Sequence, residues 1–214
     1  MQLILTGVNI GQPRELVTSN GNTTTGIFKE ATHKPVFIST MGPTDDFIAD
    51  LENHGGPDQA VYLYSREDYN WWEAELDRDL PNGMFGENLT LSSFGTTEIH
   101  IGDRFQINDL VLELTFARIP CAKFAAKMGD PEFVKRFGQA GRPGAYARVI
   151  QPGTVTAGDP VQYLATGAAY PTVAELYALY LSRVRPVTQL QRGLEAPIGA
   201  RARLAFEYWL DKAL

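Results

Sequence analysis

The chain is poor in thiols and imidazoles. Its 214 residues hold one cysteine, Cys121, and three histidines, His33, His54 and His100. One cysteine permits no intrachain disulfide and suits a reducing cytoplasm. Neither His33 nor His100 has the spacing of a zinc-type pair with His54. No apolar run reaches the length that spans a bilayer. Residues 1–7 carry no basic segment and too short an apolar run for a secretory signal. Also missing are internal repeats, low-complexity segments and a Gly-x-Gly-x-x-Gly dinucleotide fingerprint. The net charge of −6 argues against a protein that coats nucleic acid. What is left, with 44% hydrophobic and 21% charged residues, is the composition of an ordinary soluble globular protein. Its length suits one large domain with a small appendage.

The lone cysteine has informative surroundings. Residues 110–116 alternate and read as a half-buried strand. Pro120 cannot donate to a sheet ladder and forces a turn at the strand's end. Cys121 then sits at the rim of a sheet between Arg118 and Lys123, whose charge favours the thiolate. A thiolate is both a nucleophile and a soft metal ligand. A lone cysteine is also, more commonly, a small buried hydrophobe. Residues 104–148 hold eight Lys or Arg against four Asp or Glu, a basic island in an acidic chain. Such an island suits a small anion such as phosphate, and a solvated face with scattered charges gives the same count.

From the start, residues 3–10 read as a strand, followed by a Gly-Pro turn at residues 11–13, a second arm at 12–17 and a turn at Asn20-Gly21-Asn22. Thr23-Thr24-Thr25-Gly26 combines hydroxyl donors with a closely approaching backbone, useful for holding phosphate; threonines also simply favour strands. Residues 36–41 form another strand before an acidic loop at 45–50. The paired glycines after His54 present it on a tight turn ahead of a strand. There it either meets a ligand or ties down the turn. Ser65-Arg66-Glu67-Asp68 opens a helix through Leu76 with Tyr69, Trp72 and Leu76 on one face. Asn88 lies in a Gly-containing loop, a polar anchor or a turn residue. A hairpin follows at residues 105–116, then a helix opened by Asp130-Pro131 and stopped at Gly138, then strands at 145–150, 153–156 and 160–164. After Thr166 the period changes to that of helices. Thr172-Val173-Ala174-Glu175 is a capping box, and an apolar stripe from Val173 to Val184 is ended by Pro186. Two further helices lie at 188–194 and around 198–210. A tail of this size cannot hold itself together alone and packs on the strands or on a second subunit, as in a homodimer.

Four segments stand in order: Thr25-Gly26-Ile27-Phe28-Lys29, His54-Gly55-Gly56-Pro57-Asp58-Gln59-Ala60, Phe85-Gly86-Glu87-Asn88-Leu89 and Arg118-Ile119-Pro120-Cys121. Together they resemble the MOSC domain, in particular its stand-alone YiiM-type branch, associated with resistance to 6-N-hydroxylaminopurine. Residues 141–149 and Gly158-Asp159 continue the likeness, which covers nearly the whole chain. The resemblance implies a mainly β fold with helices: a barrel-like MOSC domain over residues 1–165 and a small three-helix domain over 166–214. It also implies a molybdenum–pterin cofactor. Cys121 matches a molybdenum ligand, and Thr24, Thr25, Asn88 and Arg118 match positions that hold the pterin and its phosphate. Lys29 and His54 match motif positions without an assigned contact. Two departures stand out. Thr24 occupies a position where the family often has lysine, so one phosphate charge must come from elsewhere. Thr44-Asp45-Asp46 replaces the usual Gly-Asp ahead of the His-Gly-Gly motif.

The resulting expectation is a cytoplasmic molybdenum cofactor-dependent reductase of N-hydroxylated bases or related N–OH compounds, with Cys121 as catalytic metal ligand. Lacking a dinucleotide fingerprint, it would draw electrons from a separate flavin or iron–sulfur reductase. The alternative is a non-catalytic carrier of the cofactor or of sulfur, which needs no substrate pocket beside the metal.

Overall fold

The computed structural model describes residues 2–19, 21–96 and 98–213. Asn20 of the expected 20–22 turn and Met1 lie outside the described residues. Strands and helices follow in the order β1 (Leu3–Gly11), β2 (Arg14–Thr18), β3 (Gly21–Thr25), β4 (Lys29–Thr32), β5 (Val36–Ser39), β6 (Gly42–Pro43) and α1 (Leu51–His54). Then come β7 (Val61–Ser65), α2 (Arg66–Leu76), β8 (Leu89–Leu91), β9 (Arg104–Ile107), β10 (Leu110–Phe116), α3 (Ala122–Met128) and α4 (Phe133–Ala140). The chain ends with β11 (Ala145–Gln151), β12 (Gly153–Val155), β13 (Pro160–Leu164), α5 (Val173–Leu181), α6 (Val187–Glu195) and α7 (Ala200–Ala213).

Seven strands close a barrel in the order β13, β9, β10, β11, β7, β8, β1, with β1 returning to β13 through Leu3 opposite Val161. An odd number of strands cannot close with every neighbour antiparallel. The parallel pair β7–β8 resolves the mismatch, and α2 supplies the crossover that a parallel pair requires. Ser65 starts that helix by accepting from the Asp68 backbone N–H at 3.0 Å. Only half of the expected capping box forms, because the Asp68 carboxylate accepts from the Ser65 hydroxyl instead of reaching back to the backbone.

Strand β10 is more deeply buried than its alternation suggests: both faces of Leu114–Thr115–Phe116 are covered. Its outer face is roofed by the helical tail, where Phe116 meets the Phe206 ring edge-on at 6.0 Å between centroids. Val173, Leu176, Leu190, Ile198 and Phe206 join the same apolar cluster as the barrel interior. The tail therefore packs on its own barrel. Its capping box at Thr172 and Glu175 forms in full. Helix α5, however, stops at Leu181, five residues before Pro186, leaving Val184 exposed.

A second cluster is aromatic: Tyr64, Tyr69, Trp72, Phe85, Phe124, Phe133 and Phe137 fill the space between β7, α2, α3 and α4. Helix α3 directly after Cys121 is a feature the sequence reading lacks. Helix α4 starts at Phe133, with Asp130 accepting from the Glu132 N–H in the turn before it, and runs through Gly138 to a left-handed Gly141. Glycine is tolerated inside a helix, and only a position with positive φ makes it a stop. Among the described residues no helix is long and apolar enough to cross a membrane.

Candidate functional site

Where β10 ends, residues 117–120 lead across the barrel rim and deliver Cys121 to the N-cap position of α3. The Cys121 carbonyl accepts from Phe124 and Ala125, locking the turn and fixing the direction of the thiol. Burial pushes the thiol pKa up. A hydrogen bond from His54, the Arg118 charge and the Phe124 backbone N–H outweigh it and bring the pKa down to about 7. His54, expected on a tight turn, is the last residue of the one-turn helix α1, and the turn at Gly55 and Gly56 follows it. Positive φ at Gly56 lets the chain turn sharply into a short 3-10 segment, Pro57–Gln59, that feeds β7.

Arg118 is 5% exposed, and its guanidinium lies over the Phe124 ring at 3.9 Å, with Tyr62 at 5.4 Å. Its Nη1 is buried and has no hydrogen-bond partner, and among the described residues no carboxylate pairs with it. Half of the basic island is spent otherwise: Arg104 pairs with Glu113, Arg136 with Asp130, Arg142 with Asp68 and Arg148 with Asp58. Arg118 and Lys123 line the cavity beside Cys121. Lys127 lies just behind it, donating to the Ile27 and Gly83 carbonyls at 2.8 and 2.6 Å. Burial, reinforced by Arg118, Lys29 and Arg14, lowers its pKa to about 7.

The opposite wall is a braced network. Lys29 forms a buried ion pair with Asp46 at 2.6 Å, and burial lowers the ammonium's pKa. Asp46 also accepts from the Gly11 backbone N–H at 2.7 Å and from the Asn88 amide at 2.9 Å. The Asn88 carbonyl in turn accepts from the Tyr62 backbone N–H at 3.1 Å. Lys29 and Asn88 thus reach the cavity with their polar ends already committed, and Asp46, from the altered Thr-Asp-Asp segment, is the hub. Thr25 lines the cavity and accepts from the Ile27 N–H. Thr24 does not: it points to the outer side of the β2–β3 hairpin and donates to Glu15 at 2.6 Å. The two threonines are adjacent on a strand, so they face opposite ways.

The structure therefore gathers Cys121, His54, Arg118, Thr25, Lys29 and Asn88 around one cavity and leaves Thr24 outside it. Asp46, Gln59, Tyr62, Tyr146 and Lys127 join the site without having been assigned to it. Asp46, Gln59 and Tyr146 had a signal, since they sit in the altered Thr44–Asp46 segment, the His54–Ala60 segment and the 141–149 stretch. Among the described residues no three of His, Cys, Asp and Glu converge on a metal position. Cys121 would be the protein's own ligand to a metal held otherwise by its organic group. The cavity, of about 80 Å³ and open on one side, has room for one end of such a group.

The MOSC domain family matches residues 50–162. The protein YflK of Bacillus subtilis is 34% identical over 208 residues, 97% of this chain and 94% of that protein. A protein named "Reductase" from Gibberella moniliformis is 33% identical over 172 residues, 78% of this chain but 30% of its own length. The crystal structure of YiiM from Geobacillus stearothermophilus superposes with a TM-score of 0.80 at 26% identity, covering 97% of this chain and 99% of that one. The chain belongs to the MOSC domain family and is a YiiM-type member of it.

Proposed function

We propose that the protein is a molybdenum cofactor-dependent reductase that converts N-hydroxylated bases or related N–OH compounds to the amines, with electrons from a separate flavin or iron–sulfur reductase. The observation that carries this reading is Arg118, a buried guanidinium with an unpartnered Nη1 beside a thiol of near-neutral pKa. A buried guanidinium with no carboxylate partner and one unbonded nitrogen is costly, so a fold that keeps one is prepared for an anion. Arg forks match phosphate, and a thiolate matches a soft metal. That donor set fits one anionic end and one metal end of a molybdenum–pterin group.

When bound, that group would supply the two-electron chemistry by which R–NHOH, with two electrons and two protons, becomes R–NH2 and water. The protein's part is positional. The His54 hydrogen bond and the Arg118 charge favour the Cys121 thiolate, whose pKa is brought down to about 7. Arg118 binds negative charge in a site that the aromatic cluster shields from water. The Lys29–Asp46–Asn88 network fixes the wall against which the ligand rests. Lys123, which lines the cavity, supplies the positive charge missing at position 24, and Lys127 behind it, its pKa lowered to about 7 and its Nζ bound to two carbonyls, adds charge only when protonated. The Gibberella relative's name supports an oxidoreductase class only, because the match spans 30% of that protein. A carrier would need only the cofactor cavity, whereas Cys121 here also borders a second one, which supports turnover.

The test is molybdenum content after expression in a cofactor-replete host and purification without oxygen. Near-stoichiometric metal in the wild type, lost or catalytically silent in Cys121→Ala, is the expected result. A metal-free wild type, alongside a loaded control protein from the same host, overturns the proposal.

A further inference from the structure

Lys127 belongs to α3, the helix that Cys121 opens, and its Nζ donates to carbonyls on two separate segments, Ile27 at 2.8 Å and Gly83 at 2.6 Å. Both segments are walls of the cavity that Arg118 lines. Thr25, Gly26 and Ile27 face it from one and Gly86 from the other. A Cβ at Gly86 would come within 3.2 Å of the Ile27 side chain and 3.9 Å of the Arg118 guanidinium. One ammonium therefore ties α3 to both sides of the anion site. Neither carbonyl depends on it alone: Ile27 also accepts from the Lys29 N–H and Gly83 from the Gly86 N–H, each at 3.0 Å.

The charge of Lys127 is poorly balanced. The charged groups that face it are Glu87 ahead of β8, Arg118 from the rim, Lys29 from β4 and Arg14 from β2, so three of the four are cations. Glu87 is shared, its Oε1 accepting from Tyr69, Gly83 and Thr90. Burial first, then the three cations, leave the Lys127 proton loosely held, with a pKa of about 7. An oxyanion beside Arg118 brings the missing negative charge and raises the proton affinity of Nζ. By linkage, such an anion binds more tightly where that proton is already in place.

We propose that Lys127 is a positioning residue of the anion site and that a doubly charged oxyanion enters it together with one proton, which Nζ takes up. Protonated, Lys127 draws the 25–27 and 83–86 walls onto α3 through charge-assisted hydrogen bonds and holds a positive charge behind the cavity. Neutral, it leaves those walls with weaker bonds and Arg118 with less help. The proposal rests on Arg118 as the anion anchor of the preceding reading, but it is testable without metal or turnover.

Sulfate is the probe, because it stays a dianion at neutral pH and brings no proton of its own. The full-length chain, expressed in a host that makes no cofactor, carries Cys121→Ser to remove the thiol that titrates in the same range. It is titrated calorimetrically with sulfate from pH 6 to pH 8.5 at constant ionic strength. Affinity is expected to fall about tenfold across that range, since each unit by which binding raises a pKa is a factor of ten. At pH 7.5, two buffers of different ionisation enthalpy should show uptake of most of one proton per sulfate. Lys127→Met weakens binding at pH 6 and abolishes the uptake. Lys127→Arg, charged throughout, keeps binding and flattens the profile. A merely structural lysine would instead weaken Lys127→Met equally at every pH. No sulfate binding at pH 6, a flat profile in the parent, or the parent's slope and uptake in folded Lys127→Met or Lys127→Arg overturns the assignment. Molybdenum content reads the other proposal separately. A chain that never loads metal but binds sulfate through Lys127 keeps this role and loses its assigned cofactor, and one that loads metal while its sulfate profile ignores Lys127 does the reverse.

Discussion

At the scale of single residues the site is governed by competition between burial and charge. Burial opposes ionisation of Cys121, while His54 and Arg118 favour it, and the balance falls at about 7. Because the folded pKa lies below that of a free thiol, the thiolate contributes stability at alkaline pH, and that contribution is lost as pH falls through about 7. The pH dependence of iodoacetamide alkylation should therefore show a midpoint near 7. His54→Ala, which deletes a donor to sulfur, should move it upward, and an unmoved midpoint would remove His54 from the thiol's environment. The residues legible in the sequence were those whose chemistry is unusual by type: the lone cysteine, the arginine beside it, and the histidine and asparagine in glycine-rich segments. Their partners were not. Asp46 meets Asn88 across 42 residues and Lys127 meets Ile27 across 100, and no local pattern encodes such distances. Thr24 shows the converse. Its type suits phosphate, but strand alternation turns it toward Glu15.

At the scale of elements, the parts with local causes were readable. The β9–β10 hairpin follows from alternation around a turn, and the start of α5 follows from a capping box closed within four residues. Helix α3 was not readable, because seven residues make fewer than two turns, too short a window for a helical apolar period to stand out. The end of α5 was misplaced because helix termination there comes from Ser182 turning outward well before the proline. The loop carrying Asp46 to Asp50 is held by one close approach. A Cβ at Gly26 would overlap the Phe47 carbonyl oxygen, and Phe47 N–H donates to the Gly11 carbonyl at 2.9 Å. Gly26→Ala must push this loop outward. The expected destabilisation is about 1–3 kcal/mol, seen as a lower denaturant midpoint, with weaker phosphate protection of Cys121. Unchanged values for both would mean the loop yields freely.

At the scale of the whole molecule, barrel and tail share one apolar cluster, so the boundary near residue 165 divides two kinds of secondary structure without dividing the core. Phe206, fully buried against Phe116 and Trp209, is the clearest link. Phe206→Ala is expected to cost about 3–5 kcal/mol, and calorimetry should show a single transition shifted to lower temperature. Two transitions, with only the smaller one shifted, would show that the tail melts alone. The general class, a strand-rich domain followed by three helices, was visible from the change of period after Thr166. Closure of the barrel was not, because β1 and β13 lie at opposite ends of the strand-rich segment.

That pairing has a consequence for how the chain is made. Leu3 waits for Val161, so while the ribosome is still translating the intervening residues, the Leu3–Ile4 end of β1 is open on the edge where Val8–Gly11 already pairs with β4. After β13 emerges, the outer face of β10 is covered first by Tyr180 of α5 and fully only when the last helix arrives with Phe206. The two joints that complete the molecule are thus made by its latest residues, and folding is dominated by contacts distant in sequence, the kind that form slowly and leave apolar surface exposed meanwhile.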